Sequence, residues 1–354
     1  MRCLSDSETT YQTVYQALKA GINHIETARG YGQSETYLGL ALQRELPIPR
    51  SQLYVTTKLP PTADRELMTR WIDESLERLQ LDYIDCLAVH GINTWEHLQA
   101  LQNGGLEAIQ DAIGRGLVKH IGFSTHGSLE LVLAAIETKL FAFVNLHYYY
   151  FQQRLAPAIA LASKYDLGVL IISPADKGGQ LYTPSATLTD ICAPLTPLEF
   201  NYRWLLADDR VTTLSMGAAN PSELTAPLQV ADANYPLTAI ELEILGRLER
   251  QLLDRLSSEL CSQCYACLPC PEQINIPEVL RLRNLAIAYD LEDFGKYRYR
   301  MFENAGHWFP GMKANRCTEC GDCLPRCPQN LDIPHLLFNT HDRLHTDEGR
   351  RLWG

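Results

Sequence analysis

"SLERLQLDYIDCLAVH", residues 75–90, decides the reading of the fold. Its first half closes the helical stretch "ADRELMTRWIDESLERLQ" (63–80), and its second half, "YIDCLAVH" (83–90), is a short apolar run of strand length. A helix feeding directly into a buried strand is half of a βαβ unit. Six more runs of the same kind flank it: "INHIETA" (22–28), "LYVTTKL" (53–59), "VKHIGFST" (118–125), "FAFVNLHY" (141–148), "GVLIISPA" (168–175) and "VTTLSMGA" (211–218). Helical stretches such as "LEAIQDAIGRG" (106–116), which stops on glycine, lie between them. Strands that are apolar on both faces and alternate with helices imply a parallel sheet with right-handed crossovers. Their recurrence about every 30 residues favours a TIM-type (β/α) barrel.

Such a barrel closes with eight strands, and only seven are visible. The chain opens almost at once into the helix "YQTVYQALKAG" (11–21), where a first strand should precede it. Either a strand is missing upstream or the barrel closes in an unusual way; the expectation is an open, seven-stranded barrel. An eighth strand built from residues 1–9 would overturn it.

The barrel segment is read as residues 1–235, followed by an amphipathic connecting helix at 236–260, a cysteine-rich module at 261–335 and a charged tail at 336–354. A net charge of −11 argues against a nucleic-acid partner, which requires a basic stripe. No stretch approaches the roughly 20 apolar residues of a membrane span. "MRCLSDSETT" (1–10) lacks the apolar core of a signal peptide, so the chain is placed in the cytoplasm.

Eight of the eleven cysteines fall in two runs, Cys261, Cys264, Cys267, Cys270 and Cys317, Cys320, Cys323, Cys327, each ending in Cys-Pro. In a reducing compartment clustered cysteines are metal ligands more often than disulfides. Structural zinc uses four ligands, usually as two separated C-x2-C pairs, and this doubled pattern overfills it. The runs resemble those of two-cluster ferredoxins, in which the fourth cysteine of one run ligates the other cluster. That resemblance implies two [4Fe–4S] clusters, one on Cys261, Cys264, Cys267 and Cys327, the other on Cys317, Cys320, Cys323 and Cys270. The residues between the runs, including "PEVLRLRNLAIAYDLEDFGKYRYRMFENA" (277–305), read as helix, so the module is a small, mostly helical iron–sulfur domain. Cys3, Cys86 and Cys192 are scattered and read as small buried residues.

Four polar residues stand at or just past the ends of three consecutive strands: Glu26 and Tyr31 in "IETARGYGQSE" (25–35), Lys58 and His90. That end of a barrel is where its chemistry sits. A lone strand-end lysine is usually a surface charge and a lone buried histidine is usually satisfied, but the four together make coherent chemistry. A carbonyl reduced by hydride needs a proton. A tyrosine can donate it, a neighbouring ammonium favours the phenolate, a carboxylate keeps that ammonium charged, and a histidine can orient the carbonyl oxygen.

These motifs, "ETARGYGQSE", "VTTKL" and "SLERLQLDYIDCLAVH", resemble those of the aldo-keto reductases over residues 11–230. With the cysteine module, the whole chain resembles the bacterial members that carry a C-terminal iron–sulfur domain. The resemblance implies NAD(P)H as cofactor and a small aldehyde, ketone or alcohol as substrate. Its Asp-Tyr-Lys-His tetrad falls on Glu26, Tyr31, Lys58 and His90, with Glu in place of Asp. It puts Ser124, Asn145 and Ser173 against the nicotinamide, and Gly217, Ala219 and Asn220 at the cofactor phosphate, with Ile172 where an aromatic usually stacks. Glu223 stands where an arginine often grips the phosphate of NADP, which favours NADH. Two further readings compete with the enzyme: an electron-transfer protein serving a redox partner, and a redox sensor, each with the barrel as a docking scaffold. Hydride carries two electrons and a cubane one, so the clusters either exchange electrons or are structural.

Overall fold

The computed structural model describes residues 2–233 and 235–346. The last eight residues of the charged tail lie outside the described residues. The chain divides into two units, residues 1–177 with 201–236, and residues 178–200 with 237–354. The stretch 178–200, which the sequence assigns to the barrel segment, groups with the second unit.

The first unit holds seven parallel strands in sequential order, β1 (His24–Glu26), β2 (Tyr54–Leu59), β3 (Ile84–Val89), β4 (Val118–Ser124), β5 (Phe143–Leu146), β6 (Gly168–Ile172) and β7 (Thr213–Ser215). All seven expected runs form strands. Each is shorter than its run, with residues lost at one end or both to the flanking loops. Among the described residues, 2–9 build no strand: the first helix already begins at Ser7, where the Asp6 side chain accepts the Thr9 N–H. The barrel is less open than the sequence suggests. Glu26 on β1 comes near enough to Ser215 on β7 for that hydroxyl to favour its charged form.

The helices Ser34–Leu42, Arg65–Leu79, Leu106–Gly114, Leu129–Glu137 and Ala156–Lys164 cover the strands. Their apolar faces and the outward residues of the strands, among them Val55, Leu87, Phe123, Val144 and Ile171, form the main core. The helix in the opening stretch ends on Gln80 in the left-handed region (φ 53°). Its last turn closes with Leu81 N–H on Leu76 O, which aims the chain into β3. Gly39 is required where this helix crosses Ser34–Leu42, since a Cβ there would stand 2.2 Å from Arg78 O.

Inside the barrel lies a smaller apolar layer of Ala88, Phe143 and Leu170, flanked by Cys86. Gly122 makes room for it, because a Cβ at that position would meet the Phe143 ring at 2.5 Å. Side chains alternate along a strand, so the residues two positions beyond this layer also point inward and reach the mouth. At the opposite end Asp85 holds Arg50 at 2.6 Å, Lys119 at 3.0 Å and the Val55 N–H, a network that ties the bottom of β2, β3 and β4.

The second unit is mostly helical, with Ala186–Cys192, Ala239–Leu256, Ile276–Tyr289, Glu292–Tyr299 and Ile333–Leu344. The connecting helix starts on a reciprocal capping box of Thr238 and Glu241. The helical stretch between the cysteine runs is broken at Asp290, in the left-handed region (φ 53°). Both cysteine runs lie in irregular segments, joined by a bridge between Ile274 and Met312. Among the described residues no helix is long and apolar enough to cross a membrane.

Candidate active site and metal centre

Glu26, Lys58 and His90 lie at the ends of β1, β2 and β3, and the loop after β1 brings Tyr31 over them. Lys58 is buried, and its ammonium sits 2.6 Å from the Glu26 carboxylate and 3.0 Å from Thr27 O. The same ammonium stands 5.2 Å from the centre of the Tyr31 ring, near enough for the phenol to favour its charged form. His90 meets the Tyr31 ring edge-on, with centroids 5.5 Å apart. Tyr31 remains 37 % exposed, so the four side chains run from a buried ion pair to a group open to the mouth.

The charges follow from these contacts. Burial opposes ionisation of Glu26, but Lys58 beside it, with the Ser215 hydroxyl, outweighs burial and holds the carboxyl at about 2. Burial likewise opposes the Lys58 charge, and Glu26 and Tyr31 raise it above the usual lysine value. Burial and then the Lys58 charge push His90 down to about 3, so its imidazole is neutral at physiological pH.

Asn145 does more than the sequence implies. Its Nδ2 donates to Glu26 Oε1, tying β5 to the ion pair, while its buried Oδ1 accepts nothing from the protein. Ser124 Oγ accepts the Gly91 N–H, and the Thr125 hydroxyl is spent between Ile92 O and Gly127 N. Ser173 turns the chain out of β6 in the left-handed region (φ 54°). After β7, the Ala219 N–H is taken by Glu223 Oε2 and the Ser222 N–H by Asn220 Oδ1. Arg2 reaches the same loop, bonding Gly217 O at 2.8 Å and Glu223 at 3.2 Å. A nicotinamide fits the first group, where the orphaned acceptor of Asn145 faces an amide's donors. At the phosphate end, Glu223 sets a negative charge among the donors an anion would use.

A second cluster was not read from the sequence. His126 Nε2 and His147 Nε2 stand 3.0 Å apart, and Lys177 Nζ lies 3.3 Å from His147 Nε2 and 3.5 Å from His126 Nε2. The signal was available: each histidine is two residues past Ser124 or Asn145, so it continues an inward face.

In the second unit, Cys270 lines one cavity with Cys317, Cys320 and Cys323, closed by Ile276 and Leu337. Cys327 acts electrostatically on Cys261, together with Cys264, and Cys267 is coupled to both Cys261 and Cys264. Cys270 thus stands with three cysteines of the other run, and Cys327 lies near enough to Cys261 to act on its charge. Cys267 also feels Cys323, so the two runs adjoin. Among the described residues no three His, Cys, Asp or Glu side chains converge on a single-ion point. Four thiols around a cavity suit the corners of an iron–sulfur cubane rather than one zinc ion.

Residues 4–249 match the Aldo/keto reductase family and residues 260–332 match a 4Fe-4S dicluster domain. The chain is 30% identical over 251 residues to an aldo-keto reductase of Mycolicibacterium vanbaalenii, covering 70% of this chain and 85% of that one. Its fold is similar to an aldo-keto reductase from Bacillus halodurans in holo form (TM-score 0.59, 21% identity, 69% of this chain and 90% of that chain). It is also similar to one from Klebsiella pneumoniae described as in complex with NADPH (TM-score 0.55, 22% identity, 68% and 85% covered). The barrel with its strand-end cluster and the doubled cysteine module therefore have one explanation: this chain belongs to the aldo-keto reductase family of oxidoreductases and carries a C-terminal 4Fe–4S dicluster domain.

Proposed function

We propose that the barrel reduces an aldehyde or ketone to the alcohol, or runs the reverse reaction, with Tyr31 as proton donor. The observation that carries this reading is the Lys58 ammonium, held between Glu26 and Tyr31 with neutral His90 at the edge of the tyrosine ring. NAD(P)H, when bound, supplies the hydride to the carbonyl carbon. His90 donates a hydrogen bond to the carbonyl oxygen and fixes its orientation. The oxygen takes its proton from Tyr31. Lys58 stabilises the phenolate left behind, Glu26 keeps Lys58 charged, and Asn145 keeps Glu26 in place. Because Tyr31 is partly exposed, water restores its proton.

Asn145, Ser124 and Ser173 would hold the nicotinamide, and Gly217, Ala219 and Asn220 would hold the phosphates. A structure of a family relative carrying NADPH supports cofactor binding by this fold. The Glu223 carboxylate on the Ala219 N–H favours NADH over NADPH, since it repels a further phosphate. In the second unit Cys261, Cys264, Cys267 and Cys327 would hold one [4Fe–4S] cluster and Cys317, Cys320, Cys323 and Cys270 the other, each able to carry one electron to or from a redox partner. The cysteines are all free, which agrees with a cytoplasmic location.

The test is oxidation of NADH and NADPH by anaerobically purified, cluster-loaded protein against a panel of aldehydes and ketones, repeated with Tyr31→Phe. Loss of a general acid lowers turnover about 10²–10⁴-fold. Full turnover in Tyr31→Phe overturns the assignment. No turnover with any carbonyl, together with clusters that dithionite reduces and a partner re-oxidises, favours the electron-transfer reading.

A further inference from the structure

We propose that His126, His147 and Lys177 build a carboxylate-binding subsite, so that the substrate is a carbonyl compound bearing a carboxylate. The inference rests on the carbonyl-reduction reading above and names the substrate class of that same site.

Placement comes first. Ser124 on β4 pairs with Asn145 on β5, and Asn145 points inward to Glu26. Two residues further along each chain, on the same face, come His126 and His147, whose rings lie 4.2 Å apart. They form the next layer up, between the ion pair and the mouth. Lys177 reaches them from the turn that leaves β6, whose Lys177 N–H bonds Ser173 O. The cluster is not remote from the proposed chemistry, because the Lys177 charge helps to depress His90.

The hydrogen bonds assign the protons. Tyr149 Oη is 2.5 Å from Ile172 O, which only accepts, so the tyrosine proton points there. His147 Nδ1, 2.6 Å from the same oxygen, must then donate. In its neutral form His147 therefore presents Nε2 as an acceptor, and His126 Nε2–H and the Lys177 ammonium both turn toward it. Both donors thus converge on one acceptor. His147 is buried and fixed, whereas His126 and Lys177 are only partly buried. His147 is thus a positioning residue, and the other two are donors gathered at one point of the mouth.

Donors of this kind select the ligand's charge. An ammonium 3.3–3.5 Å from both imidazole nitrogens opposes a divalent cation there. The Arg154 guanidinium, which bonds His126 O at 3.3 Å, adds a second positive charge. A carboxylate oxygen at the same point accepts from Lys177 and His126 together.

The test compares matched pairs in the cluster-loaded protein: succinic semialdehyde against butanal, and 2-oxobutanoate against 2-butanone. Each acid differs from its partner by a carboxylate in place of a methyl group. The expected result is a kcat/KM at least about tenfold higher for the acid in one or both pairs, and the pair that responds tells whether the carboxylate adjoins the carbonyl or stands further off. Lys177→Gln reduces that acid-to-neutral ratio by about 10–100-fold, the size of a lost charged hydrogen bond, and Lys177→Arg retains most of it. His126→Gln reduces the ratio in the same direction, which keeps the proposal testable if Lys177→Gln folds poorly. Equal rates for acid and neutral partners, or a ratio unmoved by both substitutions, overturn the proposal. If no carbonyl is turned over, the carbonyl-reduction reading falls separately. Calorimetric binding of succinate alone, weakened by Lys177→Gln, then still supports the subsite, and binding that is absent or insensitive to the substitution overturns it.

Discussion

The Glu26–Lys58 pair makes a quantitative prediction. Both groups are almost fully buried and 2.6 Å apart. A carboxyl held at about 2 instead of the usual 4.5 corresponds to about 3 kcal/mol favouring the charged form in the folded state. Breaking a buried pair by removing one partner costs about 3–5 kcal/mol, because the other charge is left in place. Glu26→Gln strands Lys58 on Thr27 O, and Lys58→Met strands Glu26 on Asn145 and Ser215. The double substitution removes both charges and leaves an amide beside an apolar side chain. It should be more stable than either single variant, with a coupling of about 3 kcal/mol.

The pH dependence reverses sign between variants. In the parent chain the depressed Glu26 contributes its full stabilisation above 4.5 and loses it as pH falls from 4.5 through about 2. In Lys58→Met the buried carboxyl loses its cation and rises above 4.5, so lowering the pH from 7 to 5 stabilises the fold around it. Hydrogen exchange read by mass spectrometry suits the measurement. A two-unit chain with clusters need not unfold in one step, and exchange reports stability region by region. The informative amides are Thr27, bonded to Thr56 O, and Arg29, bonded to Lys58 O, which stitch β1 and its following loop to β2. A coupling below about 1 kcal/mol, or a Lys58→Met variant that weakens between pH 7 and 5, refutes the reasoning.

His90, lowered from 6.5 to about 3 mainly by burial, contributes stability fully above 6.5 and loses it as pH falls toward about 3. At pH 5.5 the loss is about 1 kcal/mol, and acid titration of exchange protection in His90→Asn should lack that increment. The proposed crossed ligation of two clusters predicts which cysteine pairs act together. Cys270→Ser combined with Cys320→Ser should leave about four irons per chain, and Cys270→Ser combined with Cys264→Ser almost none. Iron analysis and the visible spectrum separate this from uncrossed ligation, which gives the opposite pattern.

Much of this was legible in the sequence because it is local. Seven apolar runs bounded by turns give seven strands, since a strand covered on both faces needs only its own residues to be recognised. Glu26, Lys58 and His90 announce themselves by standing at run ends. What the sequence hides is contact between distant strands. Asn145 and Glu26 are 119 positions apart, and nothing local to "FVNLHY" says that its amide supports an ion pair. Ser215 coming near Glu26, Glu223 filling the Ala219 N–H and Arg2 returning to Gly217 are of the same kind. The grouping of residues 178–200 with the second unit is likewise set by tertiary packing, for which the segment's composition carries no mark.

The histidine layer shows where the two kinds of information meet. The period of a strand places His126 above Ser124 and His147 above Asn145, and the β4–β5 register puts the two rings side by side. Those facts need only the sequence and a correct strand pairing. The protonation pattern needs more, because it depends on Tyr149 spending its proton on Ile172 O, a carbonyl from the neighbouring strand. Inward residues thus rise in order from the apolar plug of Ala88, Phe143 and Leu170, through the Glu26–Lys58 pair, to the donors at the mouth. The plug keeps water from beneath the ion pair, which strengthens its field. Burial, and then the Lys58 charge, keeps His90 neutral, so in the proposed reaction the imidazole can orient a carbonyl without competing as an acid with Tyr31. A substrate carboxylate held at Lys177 would add its own negative charge near His90 and partly offset the two lysines. The acid preference and the His90 titration are therefore coupled: with succinate bound, His90 should titrate at a higher pH than in the free protein, and in Lys177→Gln this shift should vanish.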